Sequence, residues 1–318
     1  MPRLGDAGKD QRKLALTAAR PLGMDDGRVH DVSDTAFMVA AYRAMESERP
    51  DALFRDPLAA KLAGTRGRKI VEKVSRWPFL GEWFVAVRTC VIDALIETVV
   101  AEGIDTVLNL GAGLDTRPYR MGLPHELRWI EVDYPKIIEL KESCLREQAP
   151  CCRLERVKLD LAETRQRQQL LSRIAGESER ALVLSEGLIP YWSTDEVALL
   201  AADLRARHAF RYWIVDYLSP MAKRYRVRIG LRMNMQKALF RFDPDDYFAF
   251  FRGQGWALKD IRYISEEAEK LNRPLQGPRT FRISLKFMQF WMTKSHRNAL
   301  GKSAAYVLLE PANPTANL

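Results

Sequence analysis

Cysteine and histidine are scarce in this sequence, with four of each among 318 residues. Cys90, Cys144, Cys151 and Cys152 follow no metal-ligand spacing, so no metal site is expected and the thiols read as reduced and structural. No apolar run approaches the ~18 residues that span a bilayer. The first 23 residues are charged and lack an apolar block, which argues against a secretory signal. A loosely ordered arm is expected over residues 1–30. The chain has no internal repeat and no G-x-x-x-x-G-K-[ST], so it carries no P-loop. These absences together point to the cytoplasm, with no membrane partner.

Apolar residues make up 47% of the chain, enough for a substantial core. The net charge is +9. Basicity of that size is ordinary for a solvated surface and does not by itself call for nucleic acid.

Residues 34–47 read as a helix with apolar positions at Phe37, Ala40, Ala41 and Ala44 and with Asp34 as its cap. Pro57 suits the first turn of a second helix. Residues 64–77 read as basic and exposed. A third helix is expected over 81–101. Stepping ~100° per residue from Phe84 places Val87, Val91, Leu95, Thr98 and Val99 in one stripe, and Arg88 falls in it. Such an arginine either snorkels to water at the stripe's edge or clamps a carboxylate or phosphate.

From residue 106 short apolar runs alternate with helical patterns. Strands are expected at 107–110, 127–132, 153–159, 181–184 and 212–215. This β-α alternation predicts a mostly parallel sheet wound on both faces. Two final strands, 256–264 and 281–292, are expected as an antiparallel pair. Beyond 298 a loose tail is expected, apart from 306–309.

The stretch TVLNLGAGLDTRPYR at 106–120 organises the chemistry. A buried strand runs into Gly111-Ala112-Gly113, where bare backbone can turn tightly and admit a ligand. Thr116 stands where the third glycine of a dinucleotide fingerprint would fall. Four more predicted strand ends carry an acid: Asp133, Asp160, Glu186 and Asp216. A single acid there is often only a helix cap. Several converging on one glycine turn suggest a ligand crevice. Asp133 follows Gly111 by 22 residues, the spacing at which a carboxylate meets ribose hydroxyls. An adenosine bearing an amino acid, S-adenosyl-L-methionine (SAM), suits these acids together with Arg88.

The residues also resemble a known family. The motifs DTAFMVAAYRAMESERPDALFRDPLA at 34–59, Val87-Arg88-Thr89, VLNLGAGLDTRPYR at 107–120, Glu131-Val132-Asp133-Tyr134-Pro135, Leu159-Asp160-Leu161 and SEGLIPYW at 185–192 carry the likeness. The chain resembles the leucine carboxyl methyltransferase family, in particular its bacterial polyketide carboxyl O-methyltransferase branch, over roughly residues 30–218. Asn109 replaces the acid that many SAM enzymes carry two residues before the first glycine, as this family's pattern does.

The resemblance implies a Rossmann-like class I SAM methyltransferase with an N-terminal helical cap and an antiparallel C-terminal strand pair. It implies that Arg88 pairs with the SAM carboxylate and that Gly111, with Gly113, passes close to the methionine moiety. Asp133 would take the ribose, Asp160 and Leu161 the adenine, and Glu186 the amino end. Tyr191 is expected to line the acceptor pocket, and Asp216 is a second candidate there. The expected organisation is one methyltransferase domain over 31–297, with the cap at 31–80, a basic insertion or lid at 219–241 and a tail over 298–318.

The expected activity is O-methylation of a carboxylate, or a hydroxyl, of a small metabolite such as a polyketide. A carboxylate is already ionised at neutral pH and needs no base. None of His30, His125, His208 and His296 falls at a predicted strand end. The expected partner is a small acidic or hydrophobic acceptor. The alternatives are a nucleic-acid methyltransferase, with the basic stretch at 219–241 holding RNA, or a non-catalytic SAM-binding subunit.

Overall fold

Strand β1 (Thr106–Leu110) is buried at all five positions, as its unbroken apolar run requires of a strand covered on both faces. A computed structural model describes residues 32–74, 78–222 and 240–312. In it, β1 lies between β2 (Arg128–Asp133) and β4 (Ala181–Ser185), parallel to both. Further parallel strands are β3 (Arg153–Lys158), beside β2, and β5 (Phe210–Leu218), beside β4. With β6 (Trp256–Tyr263) and β7 (Ala304–Pro311) the sheet order is β3-β2-β1-β4-β5-β7-β6. Only β7 runs against its neighbours, pairing antiparallel with β5 and β6. Strand order reverses between β1 and β4, and the crevice of such a sheet opens there, outside the carboxyl ends of the strands.

Alternation along the strands sends side chains to two cores. On one face Leu108, Leu110, Val183 and Trp213 pack with α6 (Thr164–Glu177), α7 (Thr194–Arg205) and α8 (Tyr247–Gly253). On the other, Val107, Trp129, Leu182 and Ile214 meet α3 (Pro78–Ala101) and α9 (Ile264–Lys270). Short helices α4 (Arg117–Arg120) and α5 (Pro135–Cys144) follow β1 and β2. Ser193 caps α7 in a reciprocal capping box with Glu196.

The cap is α1 (Val32–Glu48) against α2 (Ala59–Val74), with Phe37, Ala40, Ala41, Leu62 and Ile70 buried between them and Ile137 and Leu145 beneath. Gly67 is what allows the close approach, because a Cβ there would lie 2.6 Å from the Phe37 carbonyl oxygen. Residues 64–74 are therefore not simply exposed. Gly67, Ile70 and Val71 face inward while Arg68, Lys69 and Lys73 stay outside. Asp34 is not a cap either, since it lies inside α1, fully buried, and pairs with Arg66.

The C-terminal expectations need correction. Residues 281–292 are not a strand but most of helix α10 (Arg279–Trp291). The partner of β6 comes instead from around 306–309, the one part of the tail not expected to be loose, and it is preceded by a helix where a loose tail was expected. There α11 (Lys294–Gly301) leads into β7, whose Tyr306, Val307, Leu308 and Leu309 are all at most 2% exposed. Burying those four against β5 and β6 extends the domain past 297 to at least 311. Asp216 also lies inside β5, not at its end, because antiparallel pairing with β7 carries β5 on to Leu218. The basic insertion at 219–241 falls mostly outside the described residues, as does the arm over 1–30. Among the described residues no helix is long and apolar enough to cross a membrane.

Candidate functional site

The glycine turn is fastened to the end of β2 by three bonds. The amides of Gly111 and Ala112 both donate to the Val132 carbonyl, at 2.8 and 3.1 Å. The Gly113 amide donates to Asp133 Oδ2 at 2.7 Å. Both glycines have positive φ, +69° and +49°, where a side chain would be strained. A Cβ at Gly111 would also stand 3.2 Å from Leu188 Cδ1, just beyond β4. The turn thus presents bare main chain at the reversal point.

Across that point Glu186 follows β4 directly. Arg88, from α3, reaches its Oε1 through Nη2 at 2.7 Å. Arg88 and Glu186 side chains are only 13% and 14% exposed. The arginine in the apolar stripe therefore does not snorkel; it meets a carboxylate. Burial works against charge on both groups, but the attraction wins. Glu186 is held below the ordinary carboxylate range by Arg88 and Arg117, and Arg88 is raised by Glu186. Arg88 Nε is buried without a hydrogen-bond partner.

A charge network that the sequence reading missed supports this pair. Arg117 Nη1 donates to Glu186 Oε2 at 2.8 Å and to Asp115 Oδ2 at 3.0 Å, and its Nε donates to Asp93 Oδ1 at 2.7 Å. Arg120 also holds Asp93, and Asn109 Nδ2 donates to Asp115 Oδ2 at 2.9 Å. Asp115 is buried, yet the cations around it, Arg117 foremost, hold its carboxyl well below the usual range. Its neighbour Thr116 donates to Asp56 Oδ2 at 2.6 Å, and Arg43 donates to the same oxygen and to the Leu114 carbonyl. The Asp-Thr-Arg extension after the glycines thus ties turn, α3, β4 and cap together. Its only signal in the sequence was the motif itself.

Asp133 accepts from the Gly113 and Tyr134 amides, one bond to each oxygen, and burial raises its pKa against those bonds. A carboxylate with one donor per oxygen still has lone pairs for two hydroxyls. Asp160 stands one strand further out, where the Leu159 amide donates to the Asp133 carbonyl. Its Oδ1 accepts from the Ala162 amide at 2.9 Å, closing a turn that buries Leu161. Tyr191 lies in a 3-10 turn (Ile189–Tyr191) with its ring 5.1 Å from that of Phe240.

Asp216 accepts from the Gly187 amide at 2.8 Å and from the Tyr306 hydroxyl at 3.0 Å. Burial raises its pKa to about 6, outweighing the lowering by Arg88. Tyr306 belongs to β7, so no reading that ended the domain at 297 could have placed it.

The site holds a little-exposed Arg88–Glu186 pair past the end of β4, a turn of bare backbone past the end of β1, and a carboxylate with lone pairs to spare at the end of β2. These elements line the carboxyl ends of β1, β2 and β4.

The chain is similar to known proteins. Residues 36–204 match the family model for leucine carboxyl methyltransferase. A Streptomyces coelicolor protein is 32% identical over 76% of this chain and 88% of its own length. One from Streptomyces avermitilis is 29% identical over 77% and 89%. Both bear the name "Putative S-adenosyl-L-methionine-dependent methyltransferase". Among solved structures, a DUF574 family protein from Streptomyces avermitilis superposes with a TM-score of 0.54 at 13% identity, covering 90% of this chain and 99% of that one. This last likeness bears on the fold alone. The chain belongs to the leucine carboxyl methyltransferase family and is a SAM-dependent methyltransferase.

Proposed function

We propose that this enzyme is an O-methyltransferase acting on a carboxylate of a small metabolite, such as a polyketide acid. The observation that carries the cofactor assignment is the buried Arg88–Glu186 pair just past the end of β4, the strand beside β1. In this reading Arg88 binds the SAM carboxylate, and Glu186 binds the ammonium. Gly111 and Gly113 leave room for the methionine chain, Asp133 accepts the ribose hydroxyls, and Asp160 with Leu161 borders the adenine. The cofactor supplies a methyl group on a sulfonium, already activated for in-line displacement. The chain's own work is then to orient the acceptor and strip its water.

A carboxylate acceptor is favoured by the lack of a buried histidine among the described residues. His125, His208 and His296 are exposed on the surface and are not part of the crevice. Tyr191 would border the acceptor. One observation favours a second reading, a hydroxyl acceptor. Asp216, with its pKa near 6, would there accept the hydroxyl proton as the oxygen attacks.

The two readings differ in pH dependence. With a carboxylate acceptor (pKa about 4) the transfer rate is expected to stay within about twofold between pH 6 and 8. With Asp216 as base the rate would climb through pH 6 as that carboxyl loses its proton. The measurement is labelled-methyl transfer from SAM over a panel of acids, phenols and peptides, followed by mild base. Esters release the label and ethers keep it. A base-stable product with a rate rising through pH 6 would replace the carboxylate reading.

A further inference from the structure

Residues 264–303 leave the sheet after β6 and return at β7. Tyr263 pairs with Ala305, and Ala304 pairs with Leu218 at the carboxyl end of β5. Both ends of the excursion therefore lie at the sheet edge that carries the glycine turn and Glu186. It rests on the first turns of α3, where Trp83 Nε1 donates to the Arg273 carbonyl at 2.9 Å and the Phe79 and Phe281 rings meet edge-on at 5.0 Å.

On α10, Ile283, Phe287 and Trp291 recur every fourth residue and so share one side of the helix. They are 59%, 66% and 72% exposed, and the rings of Phe287 and Trp291 lie 6.1 Å apart. Nowhere else among the described residues do three large apolar side chains stand out so far on one element. Along the chain on either side of them the charge has one sign, although α9, with Glu266 and Glu269 exposed, packs beside α11. No Asp or Glu occurs between Glu269 and Glu310. Arg279 and Arg282 on α10, with Lys294 and Arg297 on α11, are exposed.

We propose that α10 and α11 form a docking surface for an anionic lipid bilayer. Ile283, Phe287 and Trp291 enter the headgroup–acyl boundary, and the flanking cations meet lipid phosphates. An exposed aromatic and aliphatic stripe beside Lys and Arg is the pattern of a helix that lies in a membrane interface. A second copy of this face would set cation against cation, which disfavours self-pairing. A nucleic acid would satisfy the cations but offers no apolar host for Ile283. Docked this way, the enzyme turns its crevice edge toward the bilayer, where a greasy acceptor concentrates. The expectation of no membrane partner rested on the lack of a long apolar run, which a helix lying in the interface does not need.

The test is co-sedimentation of the full chain with vesicles of phosphatidylcholine alone or with an equal part of phosphatidylglycerol. Binding to the anionic vesicles is expected to be at least about tenfold tighter and to weaken with salt. Phe287→Ser/Trp291→Ser and, separately, Arg279→Glu/Arg282→Glu should each lower it by about tenfold or more. SAM affinity in the same variants, read by calorimetry, should be unchanged, which shows intact folding and keeps this result separate from the cofactor site. Absence of binding to anionic vesicles, or binding that survives both substitutions, overturns the proposal. So does equally tight binding to an oligonucleotide, or a dimer that the Phe287→Ser/Trp291→Ser change abolishes without any vesicle binding.

Discussion

Arg88→Ala is expected to weaken SAM binding by roughly a hundredfold, or about 3 kcal/mol, the usual cost of truncating one side of a buried charge-assisted contact. The fold should survive, because Glu186 keeps its 2.8 Å contact to Arg117. The loss should follow the amino-acid tail of the ligand. S-adenosylhomocysteine should weaken as much as SAM, whereas methylthioadenosine, which has the sugar and base but no carboxylate, should bind the variant and the parent alike. Calorimetric titration of the three ligands decides the matter. Equal losses for all three would mean that the substitution disturbs the crevice generally, and unchanged affinity for SAM would remove Arg88 from the site.

The second large effect concerns stability. Glu131 on β2 and Lys141 on α5 form a 2.7 Å ion pair with both side chains fully buried, and Arg156 holds the second Glu131 oxygen at 3.0 Å. Glu131→Leu would strand the Lys141 ammonium without a counter-charge. The expected cost is about 3–5 kcal/mol, which lowers the melting temperature by roughly 10 °C in a chain of this size. Glu131→Leu/Lys141→Met should recover most of that loss, since replacing a buried pair with apolar groups is often neutral. Urea unfolding of the parent, both single variants and the double variant measures the coupling. A double variant no more stable than Glu131→Leu would mean that the pair is not what stabilises this contact.

The central sheet was legible because its pattern admits little else. The apolar runs of β1 and β4 are short and each has a glycine within three residues of its end, and both strands lie where that pattern puts them. Arg88 was legible as an anomaly, a charge in an apolar stripe, though its partner could not be read from the helix alone. The Arg117 network was not legible, because buried charges announce themselves only through partners that are distant in sequence. Asp93 and Glu186 lie 24 and 69 residues from Arg117.

The error at 281–292 has a plain cause. Phe281, Ile283, Leu285 and Phe287 alternate with Arg282, Ser284 and Lys286, a period of two. The same stretch also satisfies four-residue helical spacing at Ile283, Phe287 and Trp291. Periodicity alone could not choose between them. The competing strand, 304–311, wins its place in the sheet by filling the gap between β5 and β6.

That placement imposes an order on biosynthesis. A ribosome makes β6 some forty residues before the segment that must slide between it and β5. Until then the β5 edge, including Trp213 and Val215, lacks its antiparallel neighbour, and Asp216 lacks the Tyr306 hydroxyl. A nascent polypeptide therefore carries an open, sticky border and an unfinished crevice until residues 304–311 have been made, and chaperones have an opportunity to act during that interval.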